Sequence, residues 1–269
     1  MNETKKGITL MMTEIKVATY NIRMDTPEDL DWAWENRREP VLNLIRYADW
    51  DLFGVQEVLP HQLRDFEALT DYTFIGTARE DGVDTGEYNG IFYKKERFEL
   101  LEQKIFWLSE TPTVPSIHPE AGCHRLCVCG LFKDQQTGKE FVFADTHLDH
   151  VSEEARVLGA KVILDEGLQS FKEYPLLLVG DFNATPDERA YQLLAQHLTD
   201  ARQVDGAFVY GPKGTFQEFD YNCPWEALIE IDFIFVSEKI KVRKVGTLTN
   251  SSQNKFPSDH FPVEAVIEI

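Results

Sequence analysis

Basic residues are scarce in this sequence: lysine and arginine number 27 against 46 aspartates and glutamates, a net charge of −19. Long nucleic acid is held mainly through lysine and arginine contacts to phosphates. The balance therefore disfavours a duplex-binding surface and favours small anionic substrates, or short polymer ends, gripped through a metal ion. No apolar run reaches the roughly 18 residues of a membrane-spanning helix. Cysteine is rare too. Cys123, Cys127, Cys129 and Cys223 form no CxxC pair, and they read as buried free thiols rather than zinc ligands or disulfides. A reducing, cytoplasmic setting is the expectation that follows. Nothing repetitive or linker-like divides the chain. Residues 1–12, with no apolar stretch long enough for a signal peptide, are expected to form a flexible extension, and residues 13–269 one domain.

What is present is organised around Leu176-Leu177-Leu178-Val179-Gly180-Asp181-Phe182-Asn183. Four consecutive apolar residues read as a strand buried on both faces. It stops at Asp181, and Asn183 can point the same way two residues later. Thr185, Pro186 and Glu188 then have the pattern of a capped helix start. A carboxylate and an amide at a rigid strand end suit a metal ion or a phosphate. A β-turn closed by Asp and Asn side chains is the plainer alternative.

Further strands are predicted over residues 15–22, 51–57, 73–77, 88–94, 98–108, 124–132, 140–147, 230–236, 241–248 and 262–269. Helices are predicted in four places. One has Pro40 in its first turn and a stripe of Val41, Leu44, Ile45 and Ala48; a second carries Leu63, Phe66 and Leu69. Ser152 caps a third, with Val157, Ala160, Leu164, Leu168 and Phe171 on its inner face, and the fourth follows Pro186. Residues 203–228 read as irregular. The loop before the first helix holds Trp32, Trp34, Arg37 and Arg38, which suit either anchoring of the loop or stacking on a substrate.

Strand after strand stops at a metal-competent or phosphate-competent group: Asn21, Glu57, His147, Asp181 with Asn183, Asp232, and Asp259 with His260. A lone histidine is usually a surface or satisfied core residue, and a lone Asp before a strand is usually a turn. Turns do not require acids and histidines at every strand end, however. Asp232 interrupts an apolar run, and a buried carboxylate needs a fixed partner such as a histidine. Oxygen ligands without a cysteine cluster point to Mg²⁺, or Mn²⁺, rather than Zn²⁺.

These residues sit in Thr19-Tyr20-Asn21-Ile22-Arg23, Gln56-Glu57-Val58, Thr146-His147-Leu148-Asp149, Gly180-Asp181-Phe182-Asn183, Ile231-Asp232-Phe233 and Ser258-Asp259-His260. Six motifs in this order resemble the endonuclease/exonuclease/phosphatase superfamily from residue 15 onward. Trp34-Glu35-Asn36-Arg37 and residues 107–112 further resemble an uncharacterised bacterial branch, somewhat similar to the deadenylases. The resemblance implies Glu57 as the main Mg²⁺ ligand, with Asn21 and Asp259 nearby. It implies that Asp181 and Asn183 align the attacking water and hold phosphoryl oxygens. His260, oriented by Asp232, would contact the phosphate or transfer a proton, and His147 would be the second histidine. Glu87 resembles a carboxylate partner of that histidine, and Arg125 a phosphate contact. Arg23, Arg37, Trp32 and Trp34 complete the expected substrate grip, while Asp149 and His150 receive no role.

The expected fold is α/β, a four-layer sandwich of two face-to-face mixed β-sheets flanked by helices. A (β/α)₈ barrel would demand about eight helices, and the pattern supplies four. The expected activity is Mg²⁺-dependent hydrolysis of a small phosphate ester or a short single-stranded nucleic acid. An endonuclease or 3'-5' exonuclease on RNA or DNA is the alternative, and a non-catalytic binding protein on the same fold is a third class. Specificity is assigned to loops 25–38, 79–88, 109–123 and 205–228. Oligomeric state has no signature in the sequence.

Overall fold

The computed structural model describes residues 13–269, so the expected extension over residues 1–12 lies outside the described residues. Strands, numbered in chain order, divide into two sheets. The first contains β1 (Ile15–Asn21), β2 (Leu52–Val58), β3 (Tyr72–Ala78), β4 (Tyr88–Lys94), β10 (Phe208–Tyr210), β12 (Lys241–Thr247) and β13 (Val263–Glu268). Its spatial order is β10-β12-β13-β1-β2-β4-β3. The second contains β5 (Phe98–Trp107), β6 (Leu126–Asp134), β7 (Glu140–His147), β8 (Leu176–Asp181), β9 (Thr199–Asp200) and β11 (Asp232–Val236), ordered β5-β6-β7-β8-β11-β9. The pairs β1/β2, β7/β8 and β10/β12 are parallel and the rest antiparallel, so both sheets are mixed.

The apolar strand runs meet between the sheets, where Val17, Leu52, Phe132, Phe143, Val179 and Ile234 are fully buried. Each such side chain contributes roughly 1.5–3 kcal/mol through burial. Helices α1 (Trp34–Ala48) and α2 (Pro60–Asp65) cover the outer face of the first sheet through Val41, Ile45, Phe53 and Phe92. On the second sheet, α3 (Glu153–Val162) and α4 (Arg189–Ala195) pack through Val157, Ala160, Leu194 and Phe233. Helix, sheet, sheet and helix give the expected four layers. Among the described residues, no helix is long and apolar enough to cross a membrane.

Local expectations need four corrections. First, α1 begins at Trp34, so Pro40 lies inside it rather than in its first turn. Trp34 is buried, donating from Nε1 to Asp65 and stacking on Phe66, and this anchor starts the helix early. Second, α3 continues as a π-type turn over Ile163–Leu168. The extra residue per turn widens the apolar stripe, burying Ile163 and Gly167 as well, while Leu164 and Leu168 pack partly buried against the same core as expected. Third, Glu188 accepts from the Thr185 N–H as a capping box requires, but it closes a turn, and α4 starts only at Arg189. Fourth, residues 203–228 include β10 on the sheet edge. Cysteines stay free, with Cys127 and Cys129 buried as expected; Cys123 and Cys223 are only half-buried.

A polar layer interrupts the intersheet core. Asp145 of β7 is fully buried, and its carboxyl accepts from Gln56 Nε2 (2.5 Å), Gly90 N (3.1 Å) and Asn89 Nδ2 (3.3 Å) on the opposite sheet. Gln56 also donates to Thr19 Oγ1. Gly54 makes the room, since a Cβ there would lie 2.2 Å from an Asp145 oxygen. No base neutralises this carboxyl within that set, and burial pushes it well above the ordinary carboxylate range. The folded chain then keeps a proton that the unfolded chain releases above about pH 3.8, so stability falls as pH rises from there. Asp145→Asn, which keeps the hydrogen bonds if the Gln56 amide turns over, should remove this loss. The variant's melting temperature should exceed the parent's by more at pH 8 than at pH 5; equal differences at the two pH values would show that Asp145 is ionised in the fold.

Candidate active site

Each member of the buried polar layer sits one or two residues from a side chain at the sandwich mouth. Thr19 precedes Asn21, Gln56 precedes Glu57, Asn89 follows Glu87, and Asp145 precedes His147. Alternation along a strand keeps residues i and i+2 on one face, so the strands that carry the layer also carry the site. Glu57 is aimed by a break in the β2/β4 register between Val55 and Val58, where it adopts a left-handed φ of 62°. Gly180 prepares Asp181: its φ is 151°, and a Cβ there would stand 2.0 Å from the Thr146 carbonyl oxygen. Only glycine permits β8 to lie that close to β7.

The strand ends open onto a cleft of about 820 Å³, lined by residues that include Arg23, Trp32, Glu57, Glu87, Arg125, His147, Asp181, Asn183, Asp259 and His260. Asn21 Nδ2 lies 2.9 Å from Glu57 Oε1 and 3.0 Å from Asp181 Oδ2, joining the two sheets. Glu57 also accepts from Met24 N. Burial opposes its charge, but the nearby His260, the Asn21 amide and the Met24 N–H hold its carboxyl below the usual range. Asp181 is pushed up to about 7, by burial first and by Asp232 second. Burial likewise raises Asp259. Arg23 faces this acid cluster but is held bidentately by Asp29, at 2.9 and 3.0 Å.

His260 Nδ1 and Asp232 Oδ2 are 2.9 Å apart, so the buried carboxylate has the histidine partner expected of it. Thr215 Oγ1 donates to the same oxygen. Burial works against a charged His260 ring, yet Asp232 and Asp181 outweigh it and hold the imidazolium well above its ordinary range. His147 is the opposite. Burial, then Arg125 and Arg79, keep its ring neutral. Its Nε2 lies 3.0 Å from Asn183 Nδ2 and 3.4 Å from Asp181 Oδ2. The two histidines thus flank Asp181 in different charge states.

Some expected placements fail. Glu87 is not bonded to His147: its carboxylate takes Arg79 Nη1 at 2.5 Å, while His147 Nδ1 has no partner among the described residues. Trp34 faces the core. Arg37 is 3 % exposed and spends its guanidinium on the carbonyls of Ile22, Arg23, Trp32 and Pro257. Both anchor the loop, the other reading their sequence allowed. Arg38 is exposed beside Asp65. Trp32 does reach the cleft, edge-on to Phe219 at 5.5 Å, as does Arg125, 6 % exposed, with Nε and Nη1 unpartnered among the described residues. Sequence reasoning missed Arg79, Phe216, Phe219 and Cys123 in the lining. They belong to loops with no periodicity, and only the Arg79–Glu87 spacing across a tight loop carried any signal.

The donor set suits a hard divalent cation. Glu57 and Asp181 place carboxylate oxygens within 4.8 Å of each other beside His260, whose charged ring would not itself be a ligand, and Asp259 adds a further buried acid. Carboxylates gathered this closely repel one another, and a cation relieves that repulsion.

A two-sheet sandwich whose mouth gathers buried acids, two histidines and a buried arginine with free donors defines a phosphoester-processing α/β protein. The chain belongs to the Endonuclease/Exonuclease/phosphatase family, whose model matches residues 18–260, and is a hydrolase of that family. It is similar to a functionally unknown conserved protein of Enterococcus faecalis V583, with 45% identity, 94% of this chain and 99% of that one covered, and a TM-score of 0.89. The mannosyl-6-phosphatase of Bacteroides thetaiotaomicron VPI-5482 is 37% identical, with 95% of this chain and 100% of the other covered at a TM-score of 0.89. The CCR4-Not complex 3'-5'-exoribonuclease subunit of Candida glabrata is 25% identical over 292 residues, 86% of this chain but only 33% of its own length. The chain thus spans about a third of that relative.

Proposed function

We propose that the protein is a Mg²⁺-dependent hydrolase of small phosphate esters, with Mn²⁺ able to substitute. The observation that carries this reading is the buried Arg125, with two nitrogens unpartnered among the described residues, lining the same cleft as the acid–histidine cluster. A buried guanidinium without partners is costly unless an anion completes it. The surrounding rim is acidic, with Glu28, Asp29 and Glu218 in the lining, and it offers no track for a polyanion. The 37% identical phosphatase, which covers nearly the whole chain, supports a hydroxylated small ester as substrate. A reducing cytoplasm suits the unbridged Cys127 and Cys129.

Glu57 and Asp259 would hold the metal, with Asn21 a third ligand only if its amide turns its oxygen away from Arg23 N and toward the acids; when bound, the metal polarises a phosphoryl oxygen and offsets the charge that builds during transfer. Arg125 grips the remaining phosphoryl oxygens. Asp181, whose carboxyl sits near 7, accepts a proton from the attacking water while Asn183 donates to the same region. His260, held charged by Asp232, hydrogen-bonds the phosphoryl group. As the P–O bond to the alcohol breaks, the leaving alkoxide takes a proton from the charged His260, and the proton that Asp181 took from water restores that ring, 3.8 Å away, while neutral His147 stands on the other side of Asp181.

The second reading, a 3'-5' exonuclease on short single strands, rests on the Trp32–Phe219 pair in the cleft lining, although Lys255 Nζ lies over one face of Trp32 at 4.5 Å and Arg37 over Phe219. A pseudoenzyme is disfavoured by the intact set of acids and histidines.

Phosphate release from a panel of sugar phosphates, nucleotides and short single-stranded oligonucleotides, with Mg²⁺, with Mn²⁺ and with EDTA, separates the readings. Small esters should be hydrolysed faster than oligonucleotides, and EDTA should abolish release. Nicking of supercoiled plasmid at moderate salt without small-ester hydrolysis would put the nuclease first.

A further inference from the structure

His150 has no part in the chemistry above, yet its Nδ1 lies 3.0 Å from Arg125 Nη2. A guanidinium can only donate, so Nδ1 must be the acceptor and the ring neutral, with its proton on Nε2. The ring's position is built from both sides. Asp149 accepts from Val151 N and Ser152 N at the head of α3 and from Gly122 N of the facing loop, at 2.9, 2.8 and 2.9 Å. This pins the His150 backbone to the loop that leads into Arg125. Gly122 leaves space for the ring, because a Cβ there would approach His150 Cε1 to 2.9 Å. Burial and then Arg125 hold the ring below the ordinary histidine range, in keeping with the neutral acceptor.

We propose that His150 is a positioning residue: by accepting from Nη2 it holds the Arg125 guanidinium in place in the lining of the cleft. Among the described residues this is the only hydrogen bond the buried guanidinium makes, and fixing an arginine in advance removes part of the cost of binding an anion. The consequence is specific: loss of the His150 acceptor weakens binding of the anion and leaves the proton-transfer groups in place. This inference rests on the reading of Arg125 as the phosphate contact.

The test uses sulfate, which stays a dianion across the neutral range, and measures its dissociation constant by calorimetry for the full chain in Mg²⁺ buffer. His150→Phe keeps a ring without an acceptor and should bind sulfate about tenfold more weakly. His150→Asn presents an amide oxygen close to where Nδ1 stood and should restore most of that loss. With the best substrate of the panel, His150→Phe should raise KM and leave kcat within about twofold. Arg125→Ala is the control. If it binds sulfate as tightly as the parent, the phosphate-contact reading fails. Should Arg125→Ala weaken sulfate binding while His150→Phe does not, or should Asn fail to rescue, the positioning role is overturned.

Discussion

His260→Ala should hydrolyse the best phosphate ester about 10²- to 10⁴-fold more slowly than the parent, the usual worth of a positioned proton-transfer or charge-donating group. The loss should fall on kcat, because the proposed phosphate contact of Arg125 is left in place. Removal of the ring also strands the Asp232 carboxylate at 1% exposure, with Thr215 as its remaining side-chain partner and one oxygen already unbonded among the described residues. Some loss of stability must therefore be separated from loss of chemistry, and Asp232→Asn does so. The amide keeps the volume but removes the charge that holds the imidazolium, so kcat should fall in the same direction while the fold persists. Normal turnover in a folded Asp232→Asn protein would sink the pairing as a source of rate. His147→Ala should lower kcat by a comparable factor, because the neutral ring serves the other side of Asp181.

Glu57→Gln should abolish activity at limiting Mg²⁺. Loss of a residue that merely orients a metal ligand typically costs ~10- to 100-fold in affinity or activity, and loss of a charged oxygen ligand should exceed that. Glutamine can still accept a hydrogen bond from the Met24 N–H or the Asn21 amide, so the register break in β2 should survive. Titration of rate against Mg²⁺ gives the decisive curve. The variant should need far more metal or never saturate, and Mg²⁺ should no longer raise its melting temperature. An unchanged activation midpoint would move the metal away from Glu57.

Why the sequence disclosed some of this and hid the rest follows from which forces act locally. Leu176–Asp181 was legible because a strand buried on both faces must be continuously apolar and must stop when it reaches the surface. The ends of β1, β2, β7 and β13 could be read the same way, and so could the need of Asp232 for a partner. Trp34 and Arg37 were ambiguous for a physical reason. An aromatic ring and a guanidinium serve equally well to stack on a ligand or to tie down a loop, and the choice depends on Asp65, Phe66 and the carbonyls of Ile22 and Pro257, all distant or unreadable in sequence. Glu87 was assigned by position, but Arg79 across the loop is the nearer charge. The start of α4 was misplaced because Thr185 and Glu188 make the same hydrogen bond in a turn as in a capped helix. His150 had no signal at all, since its partner lies 25 residues earlier, just before β6.

The pairing of β1 with β13 joins Ile15 to Ile267, nearly the full described length, inside a sheet rather than at its edge. Closing so long a loop is slow, and contacts of this separation form late in folding. Asn21 lies at the end of β1, and Asp259 with His260 just before β13, so the same event that completes the sheet also assembles the proposed catalytic cluster. An intermediate that lacks β13 would have the helices, most of the second sheet and an unpaired β1 edge, but no His260 beside Asp232. Such a species would be prone to association through that edge and inert towards phosphate esters. During refolding, recovery of activity should therefore trail recovery of helical signal, and the enzyme's chemistry would itself report the final closure of the chain.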